Sequence, residues 1–118
     1  MKYHIGIVGA GTAGAASALL LARSGHRVTL FERVPDPMPV GAGILIQPTG
    51  MAVLKQLGVL EEAISLGARV DRLYGQNENG RKVMDMYYRD WRPESFGLGM
   101  HRGALSTLLQ RELAPAGV

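Results

Sequence analysis

The chain has 118 residues, of which 47 % are hydrophobic and 19 % charged, and a formal net charge of +3. That length suits one domain with a modest core, and the scattered Lys and Arg argue against the one-sided basic patch of a nucleic-acid binder. Cysteine is absent, which excludes disulfide frameworks, thiolate nucleophiles and Cys-based metal sites and fits a reducing, cytoplasmic setting.

The first elements fall in IGIVGAGTAGAASALLLA, residues 5–22. Its length is near the minimum for a membrane span, but Gly6, Gly9, Gly11 and Gly14 support a helix poorly in its first half. A secretion signal fails on order, because Leu19, Leu20 and Leu21 follow the small residues where a cleavage site should come last. A third reading accounts for more residues. Tyr3 to Val8 is a β-prone run suited to a buried parallel strand. Gly9, Gly11 and Gly14 then take the G-x-G-x-x-G spacing, Ala13 to Ser24 favours helix, and Gly25 is a natural stop. His26 to Glu32 forms a second strand ending in a carboxylate, 18 positions after Gly14. Strand, glycine turn, helix, strand and acid make a right-handed βαβ dinucleotide-binding unit.

Each residue type has a task in that unit. Gly9 permits the tight turn, Gly11 lets a diphosphate approach bare backbone, and Gly14 lets the helix lie close on the sheet. The N–H groups around Thr12 and Ala13, at the positive end of the helix, face the anion. Glu32 can accept hydrogen bonds from ribose hydroxyls and would repel a 2′-phosphate, which disfavours NADP. Arg33 reads either as a partial offset to that charge or as a solvated neighbour.

Further along, PDPMP at 35–39 interrupts regular structure. Ile44 to Gln47 is a brief β-prone piece, Pro48–Thr49 opens a helix that stops at Gly58, and a second short helix covers about Glu61 to Leu66. Gly41 and Gly43 serve either a close ligand or a tight turn. Residues 70–88 predict a β-hairpin around Asn79–Gly80, with Met84 and Met86 on one face as core filling. Arg89 to Gly97 is irregular, and its Trp91 borders a pocket or packs against a partner. Leu105, Leu108, Leu109 and Leu113 mark a helix over about Gly103–Leu113. Arg102 at its start is either a diphosphate clamp or a surface arginine. His101 is expected to pack or meet solvent, and it makes no metal-ligand pattern with His4 and His26. No Ser/His/Asp grouping or carboxylate pair forms a catalytic set.

Three motifs, IVGAGTAGAASALLLARSGHRVTLFER, GAGILIQPTGMAVLKQLGVL and MHRGALSTLLQREL, occur in the order and approximate spacing of class A flavoprotein monooxygenases, and the chain resembles the N-terminal part of that para-hydroxybenzoate and salicylate hydroxylase type. The resemblance implies an α/β fold, a Rossmann-like βαβ FAD-binding region with an inserted β-hairpin, in which residues 1–118 form one incomplete domain. It implies non-covalent FAD, with Glu32 at the adenosine ribose, Arg33 beside the adenosine, Gly11, Thr12 and Ala13 at the diphosphate, Gly43 near the flavin, and Arg102 near the diphosphate and ribityl chain. It further implies NAD(P)H as electron donor, oxygen as co-substrate and hydroxylation of an aromatic or similar small molecule. The later Asp-Gly and Gly-Asp motifs of that family, and its substrate sheet, have no counterpart here. The chain alone is therefore expected to be catalytically silent, a fragment that needs its C-terminal part or a complementary chain. Two other readings remain open: another FAD- or NAD-dependent oxidoreductase, such as an amine oxidase or dehydrogenase, and a non-catalytic nucleotide-binding module.

Overall fold

A computed structural model describes residues 1–35 and 41–118; the expected break at PDPMP lies, from residue 36 onward, outside the described residues. The opening reads as the spacing predicts. Strand β1 (His4–Val8) pairs in parallel with β2 (Arg27–Phe31), from His4 opposite Arg27 to Val8 opposite Phe31. Helix α1 (Thr12–Arg23) crosses between them. It packs through Ala15, Ala18 and Leu19, which are 1, 0 and 0 % exposed, and the two alanines let the helix axis come close. Gly25 ends it at φ +86°, a left-handed value glycine adopts at little cost, while its N–H donates to Ala22 O at 2.9 Å.

The middle of the chain builds a second sheet. Strand β3 (Gly43–Ile46) leads into α2 (Pro48–Gln56), where Pro48 takes the first helical turn, whose N–H groups lack intrahelical partners anyway. Helix α3 (Leu60–Ser65) follows, then β4 (Gly67–Val70). The hairpin is formed by β5 (Arg72–Gln76) and β6 (Lys82–Tyr87), antiparallel with an irregularity at Gly75/Gln76. Its turn is tied by Asn77, whose Oδ1 accepts from the N–H of Asn79 at 3.1 Å and of Arg81 at 2.8 Å. Strand β7 (Gly97–His101) then enters between β3 and β4, antiparallel to both. Helix α4 (Arg102–Leu113) closes the fold against α1.

Two strands of this second sheet, β4 and β7, were not expected. Met84 and Met86 also depart from the expected core role. They share a face, but they are 45 and 44 % exposed, because nothing among the described residues covers that side of the hairpin. The core lies instead between α1, α2, α4 and β7, and its fully buried members include Leu19, Leu57, Leu98, Leu105 and Leu109. Helix α4 contributes Leu105, Leu108, Leu109 and Leu113 to it. At roughly 1.5–3 kcal/mol per buried side chain, this stripe outweighs the exposed Arg111–Glu62 and Arg23–Glu112 pairs in holding α4. No helix among the described residues is long and apolar enough to cross a membrane.

Candidate dinucleotide site

The turn between β1 and α1 is shaped by what its glycines allow. Gly9 has φ +96° and its N–H donates to Phe31 O at 2.7 Å, so the turn is anchored to the end of β2. A Cβ on Gly14 would overlap the Gly9 carbonyl oxygen and lie 3.0 Å from its carbon; only hydrogen fits there. A Cβ on Gly11 would meet nothing within 4 Å, so the space above Gly11 is open. The backbone N–H groups of Gly11, Thr12, Ala13 and Gly14 have no acceptor among the described residues, as the first turn of a helix requires. Together with the positive helix end they form an anion cradle.

Glu32 is held against this turn. Its Oε2 accepts from the Ala10 N–H at 2.7 Å and its Oε1 from the Val34 N–H at 2.9 Å. These bonds, Val34 first and Ala10 second, hold its carboxyl below the ordinary value of 4.5, and the charge of Arg33 adds a smaller push. Each oxygen keeps a lone pair for a hydroxyl donor. A cleft of about 480 Å³ opens beside Ala10, Glu32 and Val34 and runs along β2 to Gln110, Leu113 and Val118. Arg33 itself is exposed on the loop after β2.

On the opposite side, Thr12 and Ala13 share an apolar cavity of about 410 Å³ with Ile44, Ile46, Gln47, Leu105 and Leu109. Gln47 is oriented there by Tyr88, whose hydroxyl donates to Gln47 Oε1 at 2.8 Å. Arg102 begins α4, beside the Gly41–Ala42 backbone. Its N–H donates to Ala42 O at 3.1 Å, and a Cβ on Gly41 would come 3.1 Å from its Nη1. Gly41, at φ +113°, therefore fits the tight-turn reading of the sequence, with the Arg102 side chain rather than a ligand close beside it. Gly43 is different: a Cβ there would make only ordinary contact, 3.7 Å from Met100 O. It lines an open groove on the sheet with Leu45, Ala68 and His101, next to Ile44 of the apolar cavity.

The predicted residues thus form two groups, Gly9 to Gly14 with Glu32 and Arg33, and Gly43 with Arg102, bridged by the cavity at Thr12, Ala13 and Ile44. Two participants escape a reading by spacing. His101 caps α4, its Nδ1 accepting from the Gly103 N–H at 3.1 Å. Gln110 reaches the glycine turn, its Nε2 donating to Ala10 O at 2.7 Å. Trp91, with Arg92 4.6 Å from its ring centroid, is 60 % exposed and edges a separate cleft over α2. No cluster of metal-binding side chains occurs among the described residues.

The open face over Gly11, the four free N–H groups and the poised carboxylate fit the diphosphate and ribose of a dinucleotide. Comparison with known proteins agrees. A family model described as an FAD binding domain matches residues 2–113. The chain is 32 % identical to 6-hydroxynicotinate 3-monooxygenase of Bordetella bronchiseptica over 121 aligned positions, covering 99 % of this chain and 31 % of that protein. It is 41 % identical to 3-hydroxybenzoate 6-hydroxylase 1 of Aquipseudomonas alcaligenes over 73 positions, covering 62 % of this chain and 18 % of that protein. Among solved structures, PqsL of P. aeruginosa in complex with 2-aminobenzoylacetate superposes with a TM-score of 0.83 at 25 % identity, over 98 % of this chain and 32 % of that one. The chain spans about a third or less of each relative. It belongs to the FAD binding domain family, whose model spans nearly all of the chain.

Proposed function

We propose that residues 1–118 are the N-terminal part of the FAD-binding domain of a monooxygenase that uses NAD(P)H and oxygen to hydroxylate an aromatic small molecule. The observation that carries the site is the glycine turn, with four N–H groups that have no acceptor among the described residues, beside the Glu32 carboxylate. In this reading Glu32 accepts from the adenosine ribose hydroxyls, and Arg33 lies beside the adenosine. Gly9 and Gly14 set the turn, and Gly11, Thr12 and Ala13 receive the diphosphate. Arg102, raised over Gly41, adds a cation near the diphosphate and ribityl chain, and Gly43 borders the flavin. FAD, when bound, supplies the redox and oxygen chemistry. This chain's residues bind it, orient it and neutralise its phosphates. The relatives named act on hydroxynicotinate and hydroxybenzoate, which supports an aromatic substrate for the complete enzyme. The remaining part of such an enzyme would supply the substrate pocket.

Calorimetric titration of the chain with FAD, NAD and NADP tests this reading. Preference for FAD is expected. Preference for NAD would replace it with a dehydrogenase, and a folded chain that binds none of the three would overturn the reading of the turn.

A further inference from the structure

Gln110 lies outside the fingerprint, on the helix that closes the fold, yet it makes a contact with the site that no motif announces. Its Nε2 donates to the Ala10 carbonyl at 2.7 Å across 100 positions of sequence. Ala10 is 9 % exposed, and both of its backbone polar groups are taken by side chains: the N–H by Glu32 Oε2 at 2.7 Å, the carbonyl by Gln110. The peptide linking Ala10 to Gly11 is trans, so its carbonyl and its N–H point in opposite directions. Drawing the carbonyl toward α4 turns the Gly11 N–H the opposite way, where it has no acceptor among the described residues. The opposite orientation would present a carbonyl oxygen, and its partial negative charge, to an incoming phosphate.

We propose that Gln110 is a positioning residue for the anion cradle: it fixes the orientation of the Ala10–Gly11 peptide so that the Gly11 N–H, rather than the Ala10 carbonyl, faces the diphosphate. This rests on the reading of the turn as the dinucleotide site. The chemistry requires a donor at this position. Methionine, of similar length but without an N–H, removes it. Lysine keeps it.

The test compares the parent chain with Gln110→Met and Gln110→Lys, titrated with FAD, with ADP and with adenosine, and melted without ligand. Loss of one orienting hydrogen bond is expected to weaken FAD and ADP about fivefold in Gln110→Met, to weaken adenosine distinctly less because it carries no phosphate, and to be largely reversed in Gln110→Lys. If Gln110→Met binds ADP as the parent does, the proposal is wrong while the proposed function stands. If it loses adenosine to the same degree, or melts so early that no ligand binds, Gln110 serves the fold alone and the positioning role is overturned. The outward Gly11 N–H also has a readout that needs no ligand: the Gly11 amide resonance should shift in Gln110→Met and return in Gln110→Lys. A parent that binds none of the ligands overturns the site reading, and this proposal with it.

Discussion

Gly11 and Gly14 are three positions apart in one turn, yet the structure assigns them opposite vulnerabilities. Alanine at Gly14 drives a Cβ into the Gly9 carbonyl, 3.0 Å from its carbon and 3.6 Å from Ile7 Cγ2. The obstacle is backbone anchored to Phe31, so relief requires α1 to move outward, away from the packing of Ala15, Ala18 and Leu19. Such overpacking costs about 1–3 kcal/mol, offset by less than about 1 kcal/mol of helix propensity. For a chain of this size that lowers the melting temperature by about 4 °C per kcal/mol. Alanine at Gly11 meets nothing within 4 Å, and its φ of −67° suits any residue, so stability stays within about 0.5 kcal/mol of the parent. Its methyl group, however, stands where the proposed function brings the diphosphate. Thermal melts and FAD titrations on both variants decide the matter. Gly14→Ala should melt early, and Gly11→Ala should melt normally and bind FAD at least about tenfold more weakly. A Gly14→Ala variant as stable as the parent, or a Gly11→Ala variant that binds FAD normally, would refute the reasoning.

Three further outcomes follow from single residues. The Glu32 carboxyl is held below 4.5 by the Val34 and Ala10 N–H groups, so its contribution to stability is present above that pH and is lost as pH falls through the lowered value; Glu32→Gln should flatten this acid limb in pH-dependent melts and weaken FAD at neutral pH. Arg72, then Lys82, depress Asp85 to about 2, so its stabilising contribution should fade as pH falls from 3.8 toward about 2 while the folded hairpin keeps the ion pair until pH nears about 2, and Asp85→Asn should remove that last transition from hairpin amide shifts. Arg102→Ala should reduce FAD affinity with little change in melting, since the guanidinium is exposed and has no carboxylate partner among the described residues; a large loss of stability would assign it to the fold instead.

The parts legible in the sequence are those governed by local rules. The βαβ unit, the Asn79–Gly80 hairpin and α4 each announce themselves through glycine spacing, turn chemistry or a leucine stripe, and each appears within two residues of its expected bounds at most ends. Strand β7 does not, because GLGMH carries two glycines that weaken any strand signal. One of them is required by packing rather than by the strand: a Cβ on Gly97 would collide with the buried Tyr88 ring and hydroxyl and crowd Leu45 from β3. Met84 and Met86 show the converse limit. Alternation places them on a common face but says nothing about what covers it. At the site, the fingerprint exposes Gly9 to Gly14 and Glu32, whereas the Ala10–Gln110 bond depends on how α4 docks on α1 and leaves no periodic trace.

That docking also sets an order of events at the ribosome. β1, α1 and β2 are synthesised within the first 31 residues, but the carbonyl of Ala10 acquires its partner only when Gln110, 100 positions after Ala10, has been translated. At about 5–20 residues per second the wait is roughly 5–20 s, long compared with the microseconds in which helices and hairpins form. During that interval the nascent turn has its glycines and its carboxylate but not the side chain of α4, and the face of α1 that meets α4 is uncovered. A chaperone or the exit-tunnel surface has time to engage that apolar face before the last helix arrives.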